Sequence, residues 1–464
     1  MPEFASVEQI RRHFPALART HNGHPVAYFD GPGGTQVPRR VVAAMTEYLL
    51  QHNANTDWAF PTSQETDQAL FEARGALADW VGGSADEIVF GANMTTLTLH
   101  IGRALGREWR SGDVVVVTEL DHHANSDTWR ALAKERGLEV RTIRMRPEDG
   151  RLDQEDVARK LTPGTRLLAV GAASNALGTI NDVAQLVRQA HAVGALAFVD
   201  GVHYSSHHMA DVRAWNCDFF VCSAYKFYGP HVGVLWGRGE LLEKMDAPRL
   251  EPAPAQAPER LETGTLNHEG IVGAAAAVDF LASLSQAQVP RRERLVRVSQ
   301  CLRQRGAELL RRLWEGLRAI PGVELYGLPP GGERMPTVSF TLAGRDAREV
   351  ATALAARGIF VSHGDFYAST VARVLGHERD GLVRAGCAVY TSADEVERLV
   401  EGVRHLVSER APASDLRTGR TGPVIGWSPP LSAAAAASLA LVIRRRMKKI
   451  TELAEPLANC AVIP

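Results

Sequence analysis

Cysteine is scarce: the 464-residue chain has five, Cys217, Cys222, Cys301, Cys387 and Cys460. Their spacing fits neither a zinc cluster nor a disulfide framework. The odd count, and an N-terminus (MPEFASVEQIRRHF) without the apolar core of a secretory signal, point to a reducing, cytoplasmic setting. That N-terminus reads instead as a short amphipathic helix. Excess charge is missing as well. A formal net charge of -1 gives no reason to expect nucleic acid or a broad anionic surface as partner. Crossing a bilayer takes a helix of about 20 apolar residues. The one stretch that invites the comparison, residues 431–443 (LSAAAAASLALVI), is shorter and runs into Arg444, Arg445, Arg446, Lys448 and Lys449. A packed or loosely attached Ala-rich helix is preferred over an interfacial anchor, so no membrane partner is expected.

What is present is the composition of an ordinary soluble enzyme, 45% hydrophobic and 23% charged. The length suggests roughly two to three domains. Between about residues 85 and 240, short β-branched runs alternate with helical patterns. Strands are expected at 87–91, 113–118, 139–144, 166–172, 195–200, 218–223 and 232–236, and helices at 95–105, 124–136, 153–160 and 183–192. This alternation predicts an α/β fold, a mostly parallel sheet with helices on both faces. A stretch rich in proline and alanine, 246–259, reads as a surface loop. Beyond it, helices at 271–284, 291–320, 348–357 and 392–409 and strands at 323–326, 337–341, 359–362 and 381–388 suggest a smaller α+β domain. The expected divisions are an N-terminal segment 1–25 packing with the small domain, a large domain 26–258, a small domain 259–410, and a linker with an Ala-rich basic tail, 411–464.

In open α/β sheets, ligands sit beyond the carboxyl ends of the strands, and the polar groupings of this chain fall there. Ser223-Ala224-Tyr225-Lys226 directly follows an apolar strand. Lysine is seldom buried, and one with a lowered pKa beside an aldehyde cofactor can form a Schiff base. Ser223 and Tyr225 add hydroxyls suited to a phosphate. Asp200 ends another apolar strand, where a carboxylate can pair with a protonated pyridine nitrogen. Asn93-Met94-Thr95-Thr96 opens a helix whose free N–H groups can bind phosphate. In Asp121-His122-His123, a flat imidazole can stack on an aromatic cofactor and shuttle protons. A metal site is the rival there, and a weak one, because adjacent side chains point apart. The Asn175 amide can reach a ring hydroxyl, and the Arg384 guanidinium can clamp a carboxylate.

In this order, the strings resemble the class V aminotransferases of pyridoxal 5'-phosphate (PLP) fold type I, and among them the cysteine desulfurase and selenocysteine lyase branch. The likeness runs from about residue 28 to 407 and includes YFDGPGG, NAN at 53–55, DHHAN, SNALGT, VDGVH, SAYKFYGP, ETGT at 262–265 and RAGCAVY. It implies a PLP-binding large domain, a smaller C-terminal domain and a homodimer. Lys226 would carry PLP as a Schiff base and, with His122 stacked on the ring, form the catalytic pair. Asp200 would face the ring nitrogen, and Asn175 and His203 the ring hydroxyl and its surroundings. Met94, Thr95, Ser223 and Tyr225 would hold the phosphate, with Thr265 reaching in from the other subunit. Asn53, Asn175 and Arg384 would bind the amino acid, and no metal is implied.

The sequence departs from that family in one place that matters. Desulfurases carry a nucleophilic cysteine in a Gly-His-His-Cys-Ala loop, whereas this chain reads Gly364-Asp365-Phe366-Tyr367-Ala368. A phenol of pKa about 10 replaces a thiol of about 8.5 and cannot form a persulfide. Ser362, His203 and Tyr225 also replace a usual arginine, glutamine and histidine. Structural roles are expected for Cys217, Cys222 and Cys387. The function implied is attack on an amino acid at Cα after it displaces Lys226 from PLP, with elimination, epimerisation or amino transfer as outcome. True cysteine desulfuration or selenocysteine lysis, a non-catalytic PLP-binding homologue, and membrane attachment through the basic tail are the alternatives.

Overall fold

All seven strands expected between residues 87 and 236 form, and they form one sheet. They are β1 (Ile88–Gly91), β2 (Val114–Thr118), β3 (Glu139–Ile143), β4 (Thr165–Gly171), β5 (Leu196–Asp200), β6 (Phe219–Ser223) and β7 (Gly233–Gly237). Their spatial order is β1-β7-β6-β5-β4-β2-β3. Only β7 runs antiparallel to its neighbours. The reason is visible in β2, a Val-Val-Val-Val-Thr run buried at every residue. Such a run suits a strand covered on both faces. Helices including Met94–Gly106, Asp127–Arg136 and Val183–Ala192 supply the cover. The computed structural model describes residues 4–408. The tail expected at 411–464, with its Ala-rich helix, lies outside the described residues.

Register places the site. Asp200, the last residue of β5, lies opposite Gly171 of β4 and Val221 of β6. The segments that follow these three strands therefore emerge side by side: Ser174-Asn175, Gly201–His203 and Ser223–Lys226.

A second sheet is antiparallel: β8 (Val323–Tyr326), β9 (Thr337–Leu342), β10 (Ser362–Gly364) and β11 (Leu382–Gly386), in the order β8-β9-β11-β10. The helix Arg291–Arg318 buries Leu309, Leu313 and Leu317 against Val338, Phe340 and Val383 of this sheet. Arg384 sits on the inner strand β11, opposite Ser339 and Ser362. The single strand expected at 359–362 is two. Ile359–Phe360 pairs in parallel with Ala27–Tyr28, while β10 joins the second sheet. At the N-terminus, Ser6 caps the short helix Val7–Arg11 in a capping box with Gln9. Arg11 donates to the Tyr390 carbonyl at 2.6 Å and pairs with Glu395 at 2.9 Å. Among the helices with no sequence expectation, the two longest are Arg39–Glu47 and Pro61–Val81. Among the described residues, no helix is long and apolar enough to cross a membrane.

Candidate active site

The short turn after β6 carries Lys226 inward. Its amine donates to the Pro32 carbonyl at 2.6 Å and the Gly33 carbonyl at 2.9 Å, and lies 4.9 Å from the Tyr225 ring centre. Burial, and then the Arg384 guanidinium, push this amine down to about 7, against the pull of Asp200 and Asp30. Asp200 accepts from the Val202 N–H at 2.8 Å, and burial raises its carboxyl to about 6. The crevice thus holds an amine that is substantially neutral near pH 7 beside a carboxylate that is mostly ionised.

The helix Met94–Gly106 begins beside this turn. Asn93 and Thr96 form its capping box, and the Met94 N–H donates to Ser223 Oγ at 3.0 Å. The first turn, with Thr95 half-buried on it, is thereby fixed against the end of β6. Gly233 permits the approach: a Cβ there would lie 2.5 Å from the Asn93 backbone. Tyr225 stacks on His231 with centroids 4.8 Å apart.

After β2, the two histidines diverge. His122 Nδ1 accepts from the Ala124 N–H at 3.0 Å, which assigns the ring proton to Nε2. Burial first, then Lys226, hold His122 down at about 4, so its imidazole is neutral. His123 turns away to Asp127 at 2.6 Å and Ser369 at 2.8 Å. Asp121 locks the loop by accepting from Thr118 Oγ1 at 3.0 Å and the Gly171 N–H at 2.5 Å, and burial raises it to about 8.

From β11, Arg384 reaches the same crevice. One Nη donates to the Asn175 carbonyl at 2.9 Å and the other lies 3.4 Å from Ser362 Oγ. Burial pushes this guanidinium down to about 9. Asn175 in turn donates to the Phe366 carbonyl at 2.9 Å. His203 is buried, 3.3 Å from Thr337 Oγ1, and burial holds its pKa well below the usual imidazole value.

Residues 27–399 match the family described as Aminotransferase class-V. The chain belongs to that family. Class V aminotransferases and cysteine desulfurases are PLP-dependent, and PLP is the cofactor. The chain is 33% identical over 416 residues to a cysteine desulfurase of Pectobacterium carotovorum subsp. carotovorum (strain PC1), covering 86% of this chain and 98% of that one. It is 35% identical over 418 residues to a cysteine desulfurase of Klebsiella pneumoniae (strain 342), with the same coverage. The apo structure of cysteine desulfurase from Thermococcus onnurineus NA1 superposes with a TM-score of 0.79 at 30% identity, covering 88% of this chain and all of that one. The cysteine desulfurase CsdA from Escherichia coli gives 0.76 at 27%, covering 87% and 99%.

The crevice of this chain fits PLP by its own polar chemistry. Asn175 Oδ1, His203 Nδ1, Arg384 Nε and Asp30 Oδ1 are buried without a hydrogen-bond partner. Each such group costs about 1–3 kcal/mol unless something polar meets it. A ring with a hydroxyl, a basic nitrogen and a phosphate, together with a substrate carboxylate, offers matching groups.

Two expected residues are not brought to this crevice within one chain. Asn53 and Thr265 are both exposed. The segment leading to Thr265 is nonetheless pinned: Glu262 takes a two-pronged pair from buried Arg74 at 2.9 and 2.8 Å and accepts from the Phe90 N–H at 2.7 Å. Sequence reasoning missed Asp30, whose carboxyl burial raises and which Arg384 and Lys226 pull back down, and the Pro32 and Gly33 carbonyls. The signal was the Asp-Gly-Pro-Gly-Gly string, whose glycines let backbone carbonyls approach a side chain closely.

A pH dependence follows from Lys226. Only the neutral amine attacks an aldehyde. Capture of PLP by the apoprotein, followed by visible absorption, is expected to speed up as pH rises toward about 7 and to level off above it. A rate still climbing beyond pH 9 would match an unperturbed lysine and contradict the assigned environment.

Proposed function

We propose that this chain is a PLP-dependent enzyme that acts at the Cα of an amino acid and does not form a persulfide. The observation that carries the reading is the buried Lys226 amine in one crevice with Asp200 and Arg384. When bound, PLP supplies an electron sink for the pair left at Cα. Arg384 binds the substrate carboxylate through its unpartnered Nε–H and its Nη groups. Lys226, near-neutral once its amine is released, takes the Cα proton. The Asp200 carboxylate keeps a proton on a ring nitrogen facing it. His122, neutral and half-buried, would cover the ring face and exclude water there. Met94, Thr95, Ser223 and Tyr225 are assigned to the phosphate, and Asn175 and His203 to the ring hydroxyl side.

A cytoplasmic homodimer belongs to this reading. Leu49, Leu50, Trp58, Phe60 and Phe71 are exposed large apolar side chains within one short stretch of chain. Apolar surface of this kind marks interaction sites. A second copy against it would cover Asn53's neighbourhood and bring Thr265 to a phosphate.

The persulfide is left out of the reading because of the loop residue and of three of the thiols. Tyr367 occupies the loop position where desulfurases carry cysteine. Cys217, Cys222 and Cys387 are buried, and burial raises all three thiols, Cys387 to about 12. With L-cysteine and a reductant, the PLP-loaded protein is expected to release sulfide and alanine at no more than background. Stoichiometric, repeated release of both would favour the second reading, a cysteine desulfurase, which the relatives' names support.

A further inference from the structure

The loop between β10 and the helix Ser369–Val374 is held in an unusual shape. Phe366 and Tyr367 adopt φ of 58° and 56°, consecutive side-chain-bearing residues in the left-handed region. Such backbone persists only where surrounding contacts over-determine it, and it clusters at ligand clamps. Here the contacts are on both sides of the crevice. The Tyr367 carbonyl accepts from the His123 N–H at 2.7 Å, and the Phe366 carbonyl accepts from the Asn175 amide at 2.9 Å. The loop's own Asp365 accepts from the Tyr367 N–H at 3.1 Å. Beyond it, Ser369 meets His123 Nε2 at 2.8 Å, and Asp127 holds the far side of that ring at 2.6 Å.

The result is one ring on the group assigned to the substrate carboxylate and one on the group assigned to the PLP face. Phe366 lies under the Arg384 guanidinium, with Cζ 4.2 Å from the ring centre. Tyr367 lies nearly parallel to His122, with centroids 5.5 Å apart and planes at 23°. Tyr367 nonetheless remains 73% exposed, so the backbone contacts hold the loop while the face of the ring stays open. A strained, tethered, open-faced aromatic beside a carboxylate anchor has the features of a recognition surface.

We propose that Phe366 and Tyr367 form an aromatic wall that selects amino acids with flat, apolar side chains over small ones. The inference rests on the amino-acid reading above and adds the substrate class. An amino acid with its carboxylate on Arg384 and its nitrogen near Lys226 projects its side chain past these two rings. A planar side chain stacks there, whereas a methyl group leaves the wall uncovered.

The test uses the full-length, PLP-loaded protein and equilibrium titration with L-phenylalanine and L-alanine, followed by the visible difference spectrum. Phenylalanine is expected to bind about tenfold more tightly, the scale of one stacked ring. In Tyr367→Ala the ratio of phenylalanine to alanine affinity is expected to fall to about twofold or less, while Tyr367→Phe keeps it. Equal affinities in the wild type, or a preference undiminished in Tyr367→Ala and in Phe366→Ala, would overturn the inference alone. A visible PLP band that no amino acid perturbs would overturn the amino-acid reading beneath it, and absence of any PLP band would overturn the cofactor site itself.

Discussion

Replacing Lys226 with alanine is expected to lower turnover by about 10²–10⁴-fold, the range for removing a positioned general base. The loss should appear in the chemical step, because Arg384 and Asp200 still hold substrate and cofactor. The fold should survive. Lys226 interacts through its amine with two carbonyls, Pro32 and Gly33, at the crevice, and it sits in the short turn after β6 rather than within a strand. Added methylamine, small enough to enter the freed volume, should restore part of the rate. Turnover by Lys226→Ala within tenfold of the wild type would remove Lys226 from the mechanism.

Replacing Asp200 with asparagine is expected to have the next largest effect, roughly 30- to several-thousand-fold in turnover. That corresponds to the about 2–5 kcal/mol lost when one partner of a buried, hydrogen-bonded charge pair is truncated. Asparagine keeps the shape and can still accept from Val202 N–H, but it cannot hold a proton on a facing ring nitrogen. Its position is set by strand pairing, opposite Gly171 and Val221, so the substitution should leave the sheet in place. PLP should remain attached, with its visible band shifted. An unchanged rate and an unchanged spectrum in Asp200→Asn would show that the carboxylate does not touch the ring electronics.

Most strands of the large sheet were legible because they are short, continuous apolar runs, and a strand buried on both faces needs nothing else to be recognised; the edge strand β3 (EVRTI) is half-exposed and was read from its β-branched residues. Lys226 and Asp200 stood out for the complementary reason: they are charged residues at the ends of such runs. The run at 359–362 was legible as extended chain but not as two strands, since hydrophobicity does not say whether Ala27–Tyr28 or Val383 is the partner. The helix Pro61–Val81 went unread because it mixes core residues such as Leu70 and Leu77 with the exposed Phe71, which blurs the period. Asp30 was hidden for a different reason. The glycine-rich string around it marks a close backbone approach but not a role for the carboxylate, which comes from the distant arrival of Arg384 and Lys226. The aromatic loop was seen only as the lack of a cysteine, because left-handed backbone at Phe366 and Tyr367 leaves no sequence mark.

The covalent attachment of PLP to Lys226 can be read directly. Reducing the holoprotein with borohydride and mapping its peptides by mass should place one phosphopyridoxyl group on Lys226, with none on the protein carrying Lys226→Ala. A label on another lysine, or none in a protein that is yellow before reduction, would contradict the site described.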